Sequence, residues 1–237
     1  MSTATQNLHW EYTINEWKSN KHLNYLNIIF KNNDIKVIYD IGANVGGTTQ
    51  IFLDYINQNN KNIQKIYCFE PDNDNMNFLN EKLNSYIQNN IVECIKKGVY
   101  YGKTEAKVFG AGHNSENRIH PNVGGYGIEE CMKEIVEYRN KNGEDVFCGQ
   151  VDNKIFYLDT LENLSNNFLQ PDFIKIDVEG AEKNILINSK LIKNAKYMIV
   201  EWNQNISFSD FLNEYLPEFE IILSDCDYLL KNKSYCI

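Results

Sequence analysis

Four carboxylates and two glycine-rich turns carry most of the chemistry legible in this chain. Ile38 to Thr49 reads IYDIGANVGGTT, and Phe173 to Glu182 reads FIKIDVEGAE. In the first stretch the pattern Asp40-x-Gly42-x-x-x-Gly46-Gly47 follows a short apolar run. Glycines let the backbone turn sharply and bring its N–H groups close to a bound ligand. The spacing is not the GxGxxG of dinucleotide binders. Asp40 could accept from a ligand ammonium, directly or through water, and Asn44 offers both donors and acceptors. Glu70 closes the next apolar run, where an acidic side chain can accept both hydroxyls of a ribose. Such a loop and acid describe a site for S-adenosylmethionine. Asp72 and Asn75 are further candidates for the adenosine rim, and Gly98 and Val99 for framing the adenine. The second stretch ends a buried-looking strand in Asp177 and Glu179, just before Gly180. Two strand ends with acidic groups and glycine mark opposite walls of one cleft, because ligands of open α/β sheets bind outside the strands' carboxyl ends.

These residues need elements to hold them. Lys36 to Asp40 reads as a first core strand and Thr48 to Gln58 as a helix with Ile51, Phe52, Tyr55 and Ile56 on one face. Lys65 to Phe69 is a second strand, stopped by Glu70-Pro71. Asn75 to Tyr86 is a second helix and Ile91 to Ile95 a third strand. Lys107 to Phe109 looks like an extra strand and Ile155 to Leu158 another, before Phe173 to Ile176 as strand four, a helix from Ala181, and Tyr197 to Val200 as strand five. Phe219 to Leu223 and Asp227 to Leu230 read as a terminal antiparallel hairpin. The expected fold is α/β: a doubly wound, mostly parallel, Rossmann-like sheet of the class I methyltransferase type, ending in that hairpin. Apolar residues at helical intervals from Thr13 to Phe30 predict a helical cap, so residues 1–35 are read as the cap and 36–237 as the main domain. The stretch 110–149 is rich in glycine, polar groups and charge, with a short helix expected near Glu129 to Arg139. A long irregular insert in a compact domain is usually functional or disordered, and a substrate lid is the reading here.

IYDIGANVGGTT, followed by YCFEPD, LDTL, FIKIDVEGAE and IVEWN, resembles the FkbM-type family of S-adenosylmethionine-dependent methyltransferases, from about Lys36 to Asn203. The resemblance implies transfer of a methyl group to oxygen, often a hydroxyl of a sugar, glycolipid or natural product. It gives the cofactor role to Asp40, Gly42, Asn44, Gly46, Gly47 and Glu70, and places Asp177 and Glu179 at the cofactor–substrate junction.

Methyl transfer from a sulfonium to a hydroxyl is an in-line displacement that needs alignment and the removal of a proton. Asp177, Glu179 and His113 are the candidates for that chemistry. Glu179 could instead cap the following helix, since acids are favoured at helix N-termini. His113 and His120 of the insert have the near-neutral titration of a general base. Asp177 with Glu201 and Asn203 also resembles the ligand placement of catechol-type O-methyltransferases, which would hold Mg²⁺ or Mn²⁺. Trp202 separates Glu201 from Asn203, where the catechol-type pattern has adjacent ligands, so a metal is not favoured. The insert carries His113, Asn114, Arg118, His120, Asn122 and Tyr126, a set able to hydrogen-bond a polyol and stack on a sugar, hence the expectation of a small-molecule or glycan acceptor.

A formal charge of −9 and a pI near 5.0 argue against nucleic acid as a partner. No run approaches a membrane span, and Met1 to Trp10 lacks the apolar core of a signal peptide, so a cytoplasmic chain is expected. The six cysteines form no CxxC pair, which fits a reduced interior. Two other classes compete: a nicotinamide-dependent oxidoreductase, weakened by the missing GxGxxG, and a binding module that has lost turnover. The sequence leaves the oligomeric state and the acceptor open.

Overall fold

The computed structural model describes residues 3–32, 34–102, 104–107, 109–110, 117–118, 155–178, 181–202, 204, 206–225 and 227–235. Its strands are β1 (Val37–Ile41), β2 (Lys65–Phe69), β3 (Val92–Ile95), β4 (Gly98–Val99), β5 (Thr104–Lys107) and β6 (Phe109–Gly110), then β7 (Asn117–Arg118), β8 (Ile155–Asp159), β9 (Phe173–Ile176), β10 (Tyr197–Val200), β11 (Phe219–Ser224) and β12 (Tyr228–Asn232). The main sheet runs β11-β12-β10-β9-β1-β2-β3. From β3 to β10 all pairings are parallel, and β12 lies antiparallel to both β10 and β11. The chain moves outward from β1 to β3, then returns to β9 on the other side of β1. Winding therefore reverses beside β1, and that reversal opens a crevice at the strands' carboxyl ends.

Sequence alternation sorts β1 onto two cores. Tyr39 and Ile41 face one side with Phe69, Ile176 and Phe211. Ile38 faces the other with Phe52, Cys68, Phe173 and Met76. Asp40, next but one to Ile38, points to that second side and is the polar exception in a strand that is otherwise a continuous apolar run. A smaller sheet of β4, β8 and β5 brings Gly98 and Val99 into register with Leu158 and Asp159.

The expected helical cap consists of two helices, α1 (Thr3–Trp17) and α2 (Asn20–Ile29). Ser19, in an extended conformation, breaks them. The start of α1 was hidden because its inward face meets a polar cleft, so the apolar period is absent there. Helix α3 (Gly47–Gln58) follows the glycine loop. The expected helix from Asn75 is also two, α4 (Asn73–Lys82) and α5 (Asn84–Gln88), divided at Leu83. Asp72 moves the start of α4 forward, accepting from the backbone N–H of Asp74 at 2.7 Å and of Asn75 at 3.3 Å. A helix at Phe208–Tyr215, capped by Ser207, was not expected; it buries Phe208, Phe211 and Leu212. Apart from Gly110 and the pair 117–118, the lid assigned to 110–149 lies outside the described residues, as do His113, His120, Glu179 and Asn203.

Helices α1 and α3 are joined to the sheet through Phe52, which meets Trp17 edge-on at 5.5 Å and Phe173 edge-on at 5.3 Å. Phe52→Ala should cost about 3–5 kcal/mol by urea denaturation, the scale for truncating a buried aromatic. A loss below about 1 kcal/mol would contradict this packing.

Candidate active site

The loop after β1 is held down at both ends by backbone. Gly42 and Ala43 both donate N–H to the carbonyl of Phe69 at 3.0 Å, and Gly46 donates to Ala43 at 2.8 Å. Gly42 has φ +81°, and a Cβ there would run into the carbonyl oxygen of Asp177. The loop can therefore lie flat on the end of β9 only with glycine at this position. Asn44, with φ 51°, turns its backbone N–H onto Glu70 Oε2 at 2.9 Å.

Glu70 is 6% exposed, and Asp72 donates its backbone N–H to Oε1 at 2.8 Å. Burial pushes its carboxyl up to about 7, against the pull of the Asp72 and Asn44 backbone donors. Each carboxylate oxygen has about two lone-pair directions. One on each is used by backbone, which fixes the group's orientation and leaves acceptor capacity for a pair of hydroxyls.

Beneath the loop lies a buried ion cluster. The register of β1 and β9 sets Asp40 beside Lys175. The Lys175 ammonium donates to the Gly42 carbonyl at 3.0 Å and pairs with Asp177 Oδ2 at 3.0 Å and Asp40 Oδ1 at 3.6 Å. Thr49, in the first turn of α3, donates its hydroxyl to Asp40 Oδ2 at 2.6 Å. Burial works against the Lys175 charge, but Asp177 and Asp40 more than offset it and hold the ammonium protonated. Burial raises Asp40 above the usual carboxylate range, only partly countered by Lys175 and Thr49. Burial would raise Asp177 too, yet Lys175 and a hydrogen bond with Glu201 bring it below the ordinary value.

These groups surround a cavity of about 260 Å³ at the winding reversal, and its walls include Gly42, Asn44, Gly47, Glu70, Gly98, Val99, Lys175, Asp177 and Glu201. Asp40 and Asp72 are fully buried and do not line it. Asp40 serves the Lys175 cluster and Asp72 the cap of α4, so the expected ligand contacts of these two are not what the geometry offers. Gly46 also sits off the wall, where a Cβ would come within 2.9 Å of Leu79 Cγ. Glu179, His113 and Asn203 lie outside the described residues.

The cavity also has residues that the sequence did not single out. Lys175 was legible as a lone charge inside the apolar run FIKI. His9, Tyr12, Thr13, Glu16 and Trp17 of α1 form the opposing wall. Their spacing is helical, but the stripe is mixed in polarity and gave no apolar signal. Asn75, a candidate for the adenosine rim on its sequence, lines the cavity as well. Among the described residues, Asn44 Oδ1 and Asn75 Oδ1 are buried acceptors without a hydrogen-bond partner. Buried acceptors of this kind call for donors, and the ammonium and hydroxyls of S-adenosylmethionine would supply them. The residues thus fit that cofactor.

They do not fit a divalent cation. The Lys175 ammonium already stands 3.0 Å from Asp177, and a second cation there would be repelled. The described residues contain no group of three or more metal-ligating acids, histidines or cysteines.

A parallel sheet with its reversal at the central strand, and an antiparallel strand inserted beside the edge, is the class I methyltransferase fold. The Methyltransferase FkbM domain description matches residues 40–230, and the chain belongs to that family. Among solved structures, Methyltransferase FkbM from Methylobacillus flagellatus KT aligns with 14% identity and a TM-score of 0.53, covering 93% of this chain and 53% of its own. This chain therefore spans about half of that relative. A methyltransferase from Geobacter sulfurreducens aligns at 11% identity and a TM-score of 0.49, over 96% of this chain and 88% of its own. A putative tRNA (m1A22) methyltransferase from Streptococcus pneumoniae, solved with S-adenosyl-L-methionine, gives 10% identity and 0.44 over 88% and 72%. No curated protein matches.

Lys175→Met leaves the buried Asp40 and the part-exposed Asp177 without their counter-charge, which should cost about 3–5 kcal/mol at pH 8. Asp177, held low in the native state, contributes stability above the ordinary carboxylate range that is lost as pH falls. In the variant, both carboxyls can instead take up protons in acid. The deficit relative to the parent chain should therefore shrink as pH is lowered towards about 5. Equal denaturation midpoints at pH 8 would contradict the cluster's role.

Proposed function

We propose that this chain is an S-adenosylmethionine-dependent O-methyltransferase whose acceptor is a hydroxyl of a sugar or glycan. The observation that carries the cofactor reading is Glu70, whose carboxylate is oriented by two backbone N–H groups at the edge of the crevice, next to the glycine loop. That is the geometry of an acceptor for a vicinal diol. Val99, Phe156 and Pro71 offer an apolar setting for the adenine end, and the Asn44 and Asn75 oxygens offer acceptors for ligand donors. When bound, the cofactor supplies an electrophilic methyl group on a sulfonium.

Family membership supports methyl transfer. The lean towards oxygen comes from the family resemblance, and the lean towards carbohydrate from the polar and aromatic content of the segment 110–149. Tyr12, 63% exposed and yet on the cavity wall, adds a flat ring suited to a sugar face. A cytoplasmic location is part of the same reading. Among the described residues no helix is long and apolar enough to cross a membrane.

Two measurements test the reading. Calorimetric titration should show binding of S-adenosylhomocysteine and none of NAD; the reverse would make the chain an oxidoreductase domain. Incubation with trideuteromethyl S-adenosylmethionine and a panel of glycosides should give a labelled ether on a sugar oxygen. Label on nitrogen or carbon would overturn the oxygen assignment.

Glu70→Ala should weaken S-adenosylhomocysteine binding by about 1–3 kcal/mol, the scale for hydrogen bonds to a charged group. Burial holds the free Glu70 carboxyl at about 7, so the folded chain keeps a proton that the unfolded chain has lost, and this group's contribution to stability falls as pH rises through that window. Hydroxyl donors favour the ionised form. Affinity should thus climb by about tenfold per pH unit in the approach to neutrality and level off above it. A flat profile in the parent chain would remove Glu70 from the ribose.

A further inference from the structure

Glu70 is held by more than backbone. Asn75, in the first turn of α4, is 2% exposed and lines the cavity with it. Burial pushes the Glu70 carboxyl up, and a hydrogen bond from the Asn75 side chain is among the contacts that oppose this. Only the nitrogen end of an amide can donate to a carboxylate, so the Asn75 amide has one orientation. Its backbone is fixed as well, because its N–H rests on Asp72 Oδ1 at 3.3 Å. The other end of the amide, Oδ1, is buried and has no hydrogen-bond partner among the described residues.

Three N–H groups thus converge on Glu70, from Asn44, Asp72 and Asn75. A carboxylate has about four lone-pair directions. A vicinal diol brings two hydroxyl protons, so one of them meets an oxygen that is already served and has to share. The acceptor next to it is Asn75 Oδ1, joined through one carbon to the nitrogen that rests on Glu70. Three-centre hydrogen bonds of this kind are common in proteins. A buried carbonyl oxygen without a donor is destabilising. A hydroxyl arriving beside Glu70 relieves that cost, and a ligand with hydrogen in its place does not.

We propose that Asn75 is a specificity-determining residue for the cofactor: its Oδ1 accepts from one ribose hydroxyl while its amide N–H group holds the neighbouring Glu70 carboxylate. The proposal rests on the S-adenosylmethionine reading above. It gives the site a selection rule. A nucleoside with a free cis-diol satisfies Glu70 and Asn75 together. One that lacks a hydroxyl leaves the Asn75 oxygen without a donor. One that carries a phosphate there brings no donor and sets a second anion against Glu70, a repulsive element of the kind that separates similar ligands.

The test is calorimetric titration of the full chain with S-adenosylhomocysteine, its 2′-deoxy and 3′-deoxy analogues, and S-inosylhomocysteine, in which a ring carbonyl replaces the adenine amino group. Asn75→Leu keeps the shape and removes both polar ends; Asn75→Ala is the smaller alternative. The parent should favour S-adenosylhomocysteine over both deoxy analogues. In the variants its preference over one of the two should shrink by about three- to tenfold, the scale of a neutral hydrogen bond. Equal preferences in parent and variants would overturn the proposal. So would a preference that collapses against S-inosylhomocysteine instead, since that result gives Asn75 to the adenine amino group. A crystal structure of the parent with S-adenosylhomocysteine decides the matter even if neither variant folds. Asn75 Oδ1 should lie within about 3.2 Å of a ribose hydroxyl oxygen, and a separation beyond about 3.6 Å would overturn the proposal. A parent chain that fails to bind S-adenosylhomocysteine would instead bring down the cofactor reading and this inference with it.

Discussion

The ammonium of Lys175 is the constraint around which this site is arranged. An ammonium 4% exposed in the middle of a parallel sheet is tolerated only with counter-charge and acceptors close by. Asp177, Asp40 and the Gly42 carbonyl meet that need from three separate segments: the end of β9, the middle of β1 and the glycine loop. Because one cation satisfies all three, they cannot move independently. The loop is pinned from below by Lys175 and from the side by the Phe69 carbonyl. Asp40, which on its sequence looked like a ligand contact, belongs to this foundation. So does Thr49, whose hydroxyl fills the Asp40 oxygen that Lys175 does not reach.

What stands on that foundation is a crevice whose surface is set by backbone. Glu70 takes its direction from two N–H groups, one in the loop and one at the start of the segment leading into α4. Its oxygens are thereby held in one orientation on the cavity wall, a preorganisation that would reduce the ordering cost of binding a ligand there. The N-terminal helix closes the other side with a stripe of mixed polarity. Its contacts with α3, through Trp17 and Phe52, join that wall to the same core that supports the sheet.

The sheet was the most legible part of the sequence. Strands such as Lys65–Phe69, Phe173–Ile176 and Tyr197–Val200 stand where their apolar runs fall, because a strand buried on both faces must be apolar throughout. Helix breaks were less legible. The divisions at Ser19 and Leu83 depend on local turns that leave the apolar pattern nearly intact. Glu70 and the glycines announced themselves by position, whereas Asp40 and Asp72 announced themselves equally and proved to be buried supports. A carboxylate's type and place in the chain do not tell whether its partner is a ligand, a lysine 135 residues on, or the N–H groups of its own helix. The wall from α1 was invisible for the opposite reason: His9 and Glu16 are ordinary surface residues until the fold turns them inward.

Glu70 and the glycine loop should receive one ligand together, and a crystal structure of the chain with S-adenosylhomocysteine tests this directly. Both ribose hydroxyl oxygens should lie within about 2.6–3.2 Å of the Glu70 carboxylate, with the methionine portion against the loop and the sulfur turned towards the wall that carries Asp177 and His9. Ligand density outside this crevice, or a ribose turned away from Glu70 while the loop keeps its present form, would contradict the account.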